Sequence, residues 1–139
     1  MPSKVFNSTV ALNNYLENAV PIAIKNASEK ITCKLEEFIK KDFYDMYKPK
    51  FYDRTYMFLK SRKNMMTDKN TAKIYIDTDV MHYLGVSGED VANMASFGFH
   101  GTIDIFRPGF YWSDFCEWFN ENAPIILKEE LLKQGIKTI

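Results

Sequence analysis

The segment that decides the fold is residues 44–61, which read Tyr44-Asp-Met-Tyr47-Lys-Pro49-Lys-Phe51-Tyr52-Asp-Arg54-Thr55-Tyr56-Met-Phe58-Leu-Lys-Ser61. It places six aromatic side chains and one proline in eighteen residues. Pro49 cannot continue a helix, and the residue before a proline is biased towards extended backbone. The segment therefore predicts the end of a helical N-terminal part and the start of a different kind of structure.

A long amphipathic helix precedes this segment. From Ile22 to Ile39, apolar side chains recur at three- and four-residue spacing, with charged residues between them. That period is typical of a helix with one buried stripe, and we expect it to run to about Tyr44. Because Pro21 interrupts a helix or opens a new one, a separate short helix is expected before it, from Thr9 to Asn18 with Ser8 or Asn7 as its cap.

The middle of the chain predicts a small antiparallel sheet. Residues 54–62 include Thr55, Tyr56 and Phe58, aromatic or β-branched residues that favour a strand, although Met57 and Leu59 leave a helix as the alternative. The polar residues 63–70 indicate a loop or hairpin turn, and residues 73–77 a strand. A further strand is predicted over residues 102–106.

Helices are predicted around these strands. Ser87 is placed as a helix cap, with anions in the first turn and Val91, Met94 and Ala95 facing inward, and Gly98 as the stop. Near the C-terminus, two short helices are expected. Ser113 would cap the first, with Phe115, Trp118 and Phe119 inward, while Pro124 would start the second and Gly135 would end it.

The fold class predicted from these patterns is α+β. A long N-terminal amphipathic helix packs on a small antiparallel β-sheet, followed by short C-terminal helices. The 139 residues, 46% of them hydrophobic, predict a single domain with its own core. Its parts are a helical region (9–46), a sheet with one short helix (50–106) and C-terminal helices (113–134).

Composition restricts the classes of function. The formal net charge is zero, which does not favour a strongly basic nucleic-acid binder. No apolar run approaches eighteen residues and the first residues lack the apolar core of a signal peptide, so we expect a chain made in a cytoplasm, without a membrane partner. Cys33 and Cys116 are predicted to be free, buried thiols.

The zero net charge hides two charged blocks of opposite sign. Residues 40–63 hold eight cations against three anions, whereas residues 77–121 hold eight anions against one cation. If the fold places the blocks on opposite faces, copies of the chain would attract one another head to tail, a geometry that closes into rings when the rotation permits.

Catalytic chemistry has weak support in the sequence. The only cluster of suitable residue types comprises Asp77, Asp79, His82, His100 and Asp104, and its spacing matches no metal-ligand signature. No nucleophile or phosphate-binding loop is recognisable. We therefore predict a protein that is not an enzyme, without catalytic residues, metal or cofactor, and keep a small metal-dependent enzyme using Asp77, His82 and His100 as a minor alternative.

The aromatic and basic residues 44–63 leave three interpretations open. They could stack bases and hold phosphates in a nucleic-acid-associated module. They could pack beneath the long helix, with Phe51, Tyr56 and Phe58 inward. They could also anchor contacts with another chain, because Tyr, Trp and Arg are enriched in such contacts. The candidates for a subunit interface are Tyr47, Tyr52, Arg54, Arg62, Lys63, Phe110 and Trp112.

One combination of motifs resembles a known family. The helix leads into Tyr47-x-Pro49-x-x-Tyr52-x-Arg54-Thr55, followed by Ser61, the strand Ile74-Tyr-Ile-Asp77 and a late Phe99-His100-Gly101. Over residues 20–120, this arrangement is similar to the small tail-completion or neck proteins, the head–tail joining proteins of long-tailed bacteriophages. The resemblance implies an α+β virion protein, assembled in the host cytoplasm, that forms a homo-oligomeric ring, commonly a hexamer. Its implied partners are other phage neck and tail proteins, with DNA passing through the lumen without sequence-specific binding.

Overall fold

The computed structural model describes residues 4–45, 56–82, 85–97 and 110–138. Four α-helices lie in these ranges: α1 (Thr9–Ile39), α2 (Met57–Lys60), α3 (Gly88–Ser96) and α4 (Tyr111–Lys133). Two strands, β1 (Arg62–Asp68) and β2 (Thr71–Ile76), form an antiparallel hairpin. A π-helical turn (Lys40–Tyr44) continues α1, and a 3₁₀ turn (Thr78–Val80) follows β2. The predicted α+β class, with a long N-terminal helix and a small antiparallel sheet, is confirmed.

The N-terminal helix is longer than predicted. Ser8 caps it as expected, since its Oγ accepts a hydrogen bond from the Ala11 N–H at 3.2 Å. The predicted break at Pro21 is wrong, because α1 passes through this residue without interruption. Ala19 and Ala23 are both buried on either side of Pro21. Packing on both sides therefore outweighs the cost of a proline inside a helix, which is about 3 kcal/mol.

The first strand lies later in the chain than predicted. Residues 57–60 are helical, so the helix that competed with the strand over residues 54–62 was the better interpretation there. The segment 63–70, predicted as a loop or hairpin turn, is mostly β1, with the turn confined to Lys69 and Asn70. The Asp68 carboxylate closes this turn by accepting from the Asn70 N–H at 2.7 Å. The predicted strand over residues 73–77 is confirmed as part of β2.

Helix α3 begins as predicted, because the Ser87 hydroxyl accepts from the Asp90 N–H at 3.1 Å. Its buried side agrees with the prediction at Ala95 but differs at the other positions. Ala92 and Ala95 are buried, whereas Val91 is only partly buried and Met94 is exposed. The short helix ends at Ser96, before the predicted stop at Gly98, a residue outside the described ranges.

The two helices predicted on either side of Pro124 form one continuous helix, α4. It begins at Tyr111, so Ser113 does not cap it. The early start follows from packing, since Tyr111 is buried and its hydroxyl donates to the Ala92 carbonyl at 3.3 Å. Gly135 ends the helix as predicted, with a left-handed backbone at φ 83°.

Helices α1 and α4 pack antiparallel and frame the core. At one end, the Phe38 ring lies 6.2 Å from the Phe115 ring. Further along, Lys30 of α1 pairs with the buried Glu130 of α4, which Lys133 also contacts at 2.9 Å. Both strands of the hairpin pack against α1, which therefore contacts the sheet as well as α4.

The remaining predictions have mixed outcomes. Both cysteines are free, as expected, but Cys33 is exposed and Cys116 only partly buried. The exposure of Cys33 follows from its place on the charged side of α1, between buried Thr32 and half-buried Lys34. The strand predicted over residues 102–106 lies outside the described ranges.

Candidate subunit interface

Aromatic packing joins the two aromatic-rich parts of the sequence. Tyr44, at the end of the π-helical turn, stacks on Tyr56 with ring centroids 5.0 Å apart. Phe43 meets Phe58 edge-on at 5.0 Å, and Phe58 meets Tyr111 in the same way at 5.0 Å. Phe43, Tyr44 and Phe58 are therefore part of the same core cluster as the start of α4.

This packing weakens the interpretation of residues 44–63 as a segment that stacks on nucleic-acid bases. Tyr44 and Phe58 are buried, so their rings are not available to stack on bases. Tyr56 is exposed on one side while its other face covers Tyr44. The Tyr44 hydroxyl accepts from the Leu59 N–H at 3.2 Å and so satisfies a free donor in the first turn of α2. The interpretation as core is correct for Phe58, while Phe51 lies outside the described ranges.

The first turns of α4 expose large aromatic side chains beside this core. Tyr111 and Phe115 point inward and are 2% and 3% exposed. Trp112 and Phe119, two turns apart and on one side of the helix, are each 37% exposed. Phe110, just before the helix, is 39% exposed. We call these three exposed residues, Phe110, Trp112 and Phe119, the aromatic edge of α4.

Two of the three residues in the aromatic edge, Phe110 and Trp112, are among the subunit-contact candidates from the sequence. Phe119 is exposed, so its predicted place on the inward side with Phe115 and Trp118 is wrong. Phe119 lies 6.0 Å from the Phe115 ring but on the margin of the buried stripe. The inward side of the continuous helix α4 is the side on which Phe115 and Trp118 contact Phe38 of α1. Phe119 lies at the edge of that side and is therefore exposed.

The two basic candidates, Arg62 and Lys63, lie at the start of β1 and form ion pairs within the chain. Arg62 pairs with Glu36 of α1 and also donates to the Leu59 carbonyl at 2.9 Å. Lys63 donates to Asp77 at 2.6 Å. Arg62 and Lys63 therefore pair with acidic residues of their own chain. Part of the positive charge of residues 40–63 is neutralised in this way within one subunit.

These ion pairs shift the pKa values of their carboxylates. Hydrogen bonds from Lys40 and Arg62 hold the pKa of Glu36 below its usual value. The hydrogen bond from Lys63 likewise lowers the pKa of Asp77, and the same contact raises the pKa of Lys63. Both pairs are partly exposed, and pairs of this kind contribute little stability in water.

The other three candidates, Tyr47, Tyr52 and Arg54, lie outside the described ranges. The segment that carries them leaves the described structure after Asp45 and rejoins it at Tyr56. Both of these points adjoin the Tyr44–Tyr56 stack.

The described residues that were candidates for a metal site make other contacts in the structure. Asp77 is bound to Lys63 and also caps the 3₁₀ turn by accepting from the Asp79 N–H at 3.2 Å. His82 is exposed, and its backbone N–H contacts the Met57 sulfur at 3.4 Å. Among the residues of the described ranges, no group of three or more His, Cys, Asp or Glu side chains is arranged to hold a metal ion. His100 and Asp104 lie outside those ranges.

A buried carboxylate at the end of α1 escaped the sequence analysis. Asp42 is 5% exposed, and its Oδ2 accepts no hydrogen bond from the residues that the structure describes. Burial and the neighbouring carboxyl of Asp114 raise the pKa of Asp42 to about 7. Its position was foreseeable, because residue 42 continues the apolar stripe of Leu35 and Ile39 at three- to four-residue spacing.

Comparison with known proteins identifies the family. None of the helices in the described ranges has the length and apolar character needed to cross a bilayer. Neither the curated proteins nor the solved structures gave a match. The sequence model of the YomN family, a phage-derived family of the Bacillus prophage type, matches residues 8–137. Since that match spans nearly the whole chain, the protein is a phage protein and belongs to the YomN family.

Proposed function

We propose that this phage protein is a non-enzymatic structural component of the virion neck or tail terminus. In this role it forms a homo-oligomeric ring, commonly of six copies, that completes the tail and joins it to the head. Its partners are neighbouring copies and other neck and tail proteins, and DNA passes through the lumen without sequence-specific contacts. Membership of a phage-derived family supports a role in the phage. The resemblance of the motifs between residues 20 and 120 supports the neck or tail position.

The observation that carries the ring hypothesis is the aromatic edge of α4. Phe110, Trp112 and Phe119 stay more than a third exposed beside a core that already contains Tyr111 and Phe115. Large aromatic side chains contribute most when a contact buries them, and they are enriched at the centres of protein interfaces. A subunit that is completed by its neighbour gives these side chains a partner.

The geometry favours apolar contacts over charge pairing as the main source of ring stability. Arg62 and Lys63 already pair with Glu36 and Asp77 of their own chain. Using them between subunits would require breaking these pairs or extending them into networks. In this proposal, charges at the rim orient the subunits, whereas the aromatic edge supplies most of the buried apolar area.

Substitutions on α4 test this proposal. We expect the double variant Trp112→Glu with Phe119→Glu to lose the ring, because a buried contact cannot accommodate two unpaired charges. The matched control is Leu132→Glu, on the same helix but 52% exposed at its other end. Light scattering coupled to size-exclusion chromatography would measure the assembly mass in units of the 16.2 kDa subunit.

Circular dichroism would verify that each variant keeps its helices. A folded double variant that runs as a monomer beside an intact Leu132→Glu ring supports the proposal. Rings of the same mass in all variants would show that the aromatic edge is not the subunit contact.

A further inference from the structure

Two carboxyl groups lie together where the end of α1 meets the start of α4. Asp42 is in the π-helical turn and is 5% exposed. Asp114 is in the first turn of α4, which packs against that π-helical turn, and its carboxyl is within hydrogen-bonding reach of Asp42. A buried carboxylate oxygen seldom lacks a donor, yet no donor among the described residues hydrogen-bonds Asp42 Oδ2. The pair therefore requires a physical explanation.

We infer that Asp42 and Asp114 share one proton, and that this proton makes the joint between α1 and α4 sensitive to pH. In the protonated state, the carboxylic acid of Asp42 donates a hydrogen bond to the Asp114 carboxylate. In the deprotonated state, two negative charges face each other and one of them is buried. Both the repulsion and the loss of hydration then oppose the packing of the π-helical turn on α4.

The charged groups around Asp42 and Asp114 do not neutralise the pair. A shared proton is therefore needed to remove one of the two negative charges. Among the described residues, the charged groups that act on Asp42 are Asp114, from α4, and Lys41, from its own turn. Lys41 is exposed and opposes the shift only weakly, because burial and Asp114 have larger effects on the pKa. A pKa of about 7 places the change of charge in the neutral range.

The direction of the pH effect follows from the raised pKa. An aspartate in the unfolded chain has a pKa of about 3.9, so the folded state holds one more proton than the unfolded state between about pH 4 and pH 7. The stability supplied by this proton is fully present below pH 4, declines as the pH rises and is lost above about pH 7. The joint that carries Trp112 thus becomes weaker towards alkaline pH.

The substitution Asp42→Asn isolates this effect. The asparagine amide imitates the protonated acid, because it is neutral and can donate to Asp114, but it does not titrate. Relative to this variant, the folding equilibrium constant of the wild type should fall about 50-fold between pH 5 and pH 7, and the fall should level off above pH 7. Urea unfolding at a series of pH values measures this ratio.

Two further variants sharpen the test. Asp114→Asn should flatten the pH profile only in part, because burial, the larger cause, still raises the pKa of Asp42. The double variant should have the profile of Asp42→Asn alone, because the titrating Asp42 carboxyl is then absent. The matched control is Asp45→Asn, which removes an exposed carboxylate three residues away and should leave the profile as in the wild type. Parallel profiles for the wild type and Asp42→Asn would overturn the inference.

A direct titration covers the case in which Asp42→Asn does not fold. Carboxyl ¹³C NMR of the wild type should show one aspartate that titrates near pH 7, and this signal should keep its midpoint in Asp45→Asn. If every aspartate titrates below pH 5, the shared proton does not exist.

Discussion

At the scale of single residues, backbone conformation gives a sharp test of the structure. Gly85 and Gly135 both have left-handed backbone, with φ of 76° and 83°. Their surroundings differ. A Cβ at Gly85 would meet nothing within 4 Å, whereas one at Gly135 would lie 2.9 Å from the Tyr15 hydroxyl, which donates to the Gln134 carbonyl. The two sites therefore separate backbone strain from steric contact.

We expect Gly85→Ala to lower the free energy of unfolding by about 1 kcal/mol, the typical cost of left-handed backbone for a residue with a side chain. Gly135→Ala should cost more, because the methyl group also displaces Tyr15 from the end of α4. Urea denaturation compares the two variants, with Gly135→Ala in a Tyr15→Phe background as the control for the hydroxyl contact. Equal losses at both glycines would contradict the close contact at residue 135.

The sequence predicted some residue roles well and others poorly. Caps such as Ser8 and Ser87 and the stop at Gly135 depend on local backbone geometry, so their residue types reveal them. Arg62 and Lys63 are different, since their partners Glu36 and Asp77 become apparent only in the folded chain. The buried Asp42 was missed because a carboxylate inside an apolar stripe is read as a surface residue.

At the scale of the elements, the main errors concern where helices begin and end and which segment forms the first strand. Pro21 and Pro124 each predicted a break, but α1 and α4 run through them. Local preference was outweighed by the packing of the two long helices against each other. The strand β1 was mistaken for a loop because its sequence, from Arg62 to Asp68, is polar and lacks strict alternation.

The contact between α1 and α4 predicts a pH dependence at acid pH. Glu130 is 2% exposed, and hydrogen bonds from Lys30 and Lys133 lower its pKa. A lowered pKa stabilises the fold above the unfolded value of about 4.3, and this contribution is lost as the pH falls through the folded value. Glu130→Gln should therefore melt at a lower temperature than the wild type at pH 7.

The difference between the two proteins should shrink as the pH falls below about 4, because wild-type Glu130 becomes protonated as the pH falls through its lowered folded pKa. Glu129→Gln, at the exposed neighbouring position, is the control and should melt like the wild type at both pH values. Thermal unfolding followed by circular dichroism measures all three proteins. A difference at pH 7 that persists unchanged at pH 3 would contradict an ionised, lysine-paired Glu130.

At the scale of the whole molecule, the sequence predicted the fold class but not the placement of the charges. The basic block (40–63) and the acidic block (77–121) would attract between copies only if the fold placed them on opposite faces. In the folded chain, Lys63 of the first block pairs with Asp77 of the second. The two strands of the hairpin bring residues of the opposite blocks close together. The order of charges along the sequence does not show this proximity. The aromatic edge of α4 remains the strongest candidate for contact with another copy.

The central claim is that copies of this phage protein assemble into a ring through the aromatic edge. Native mass spectrometry of the purified protein across an ammonium acetate series tests it most directly. We predict one discrete oligomer that persists as the salt concentration rises, because contacts between apolar side chains are not screened by ions. A protein that remains monomeric at every salt and protein concentration would contradict the claim.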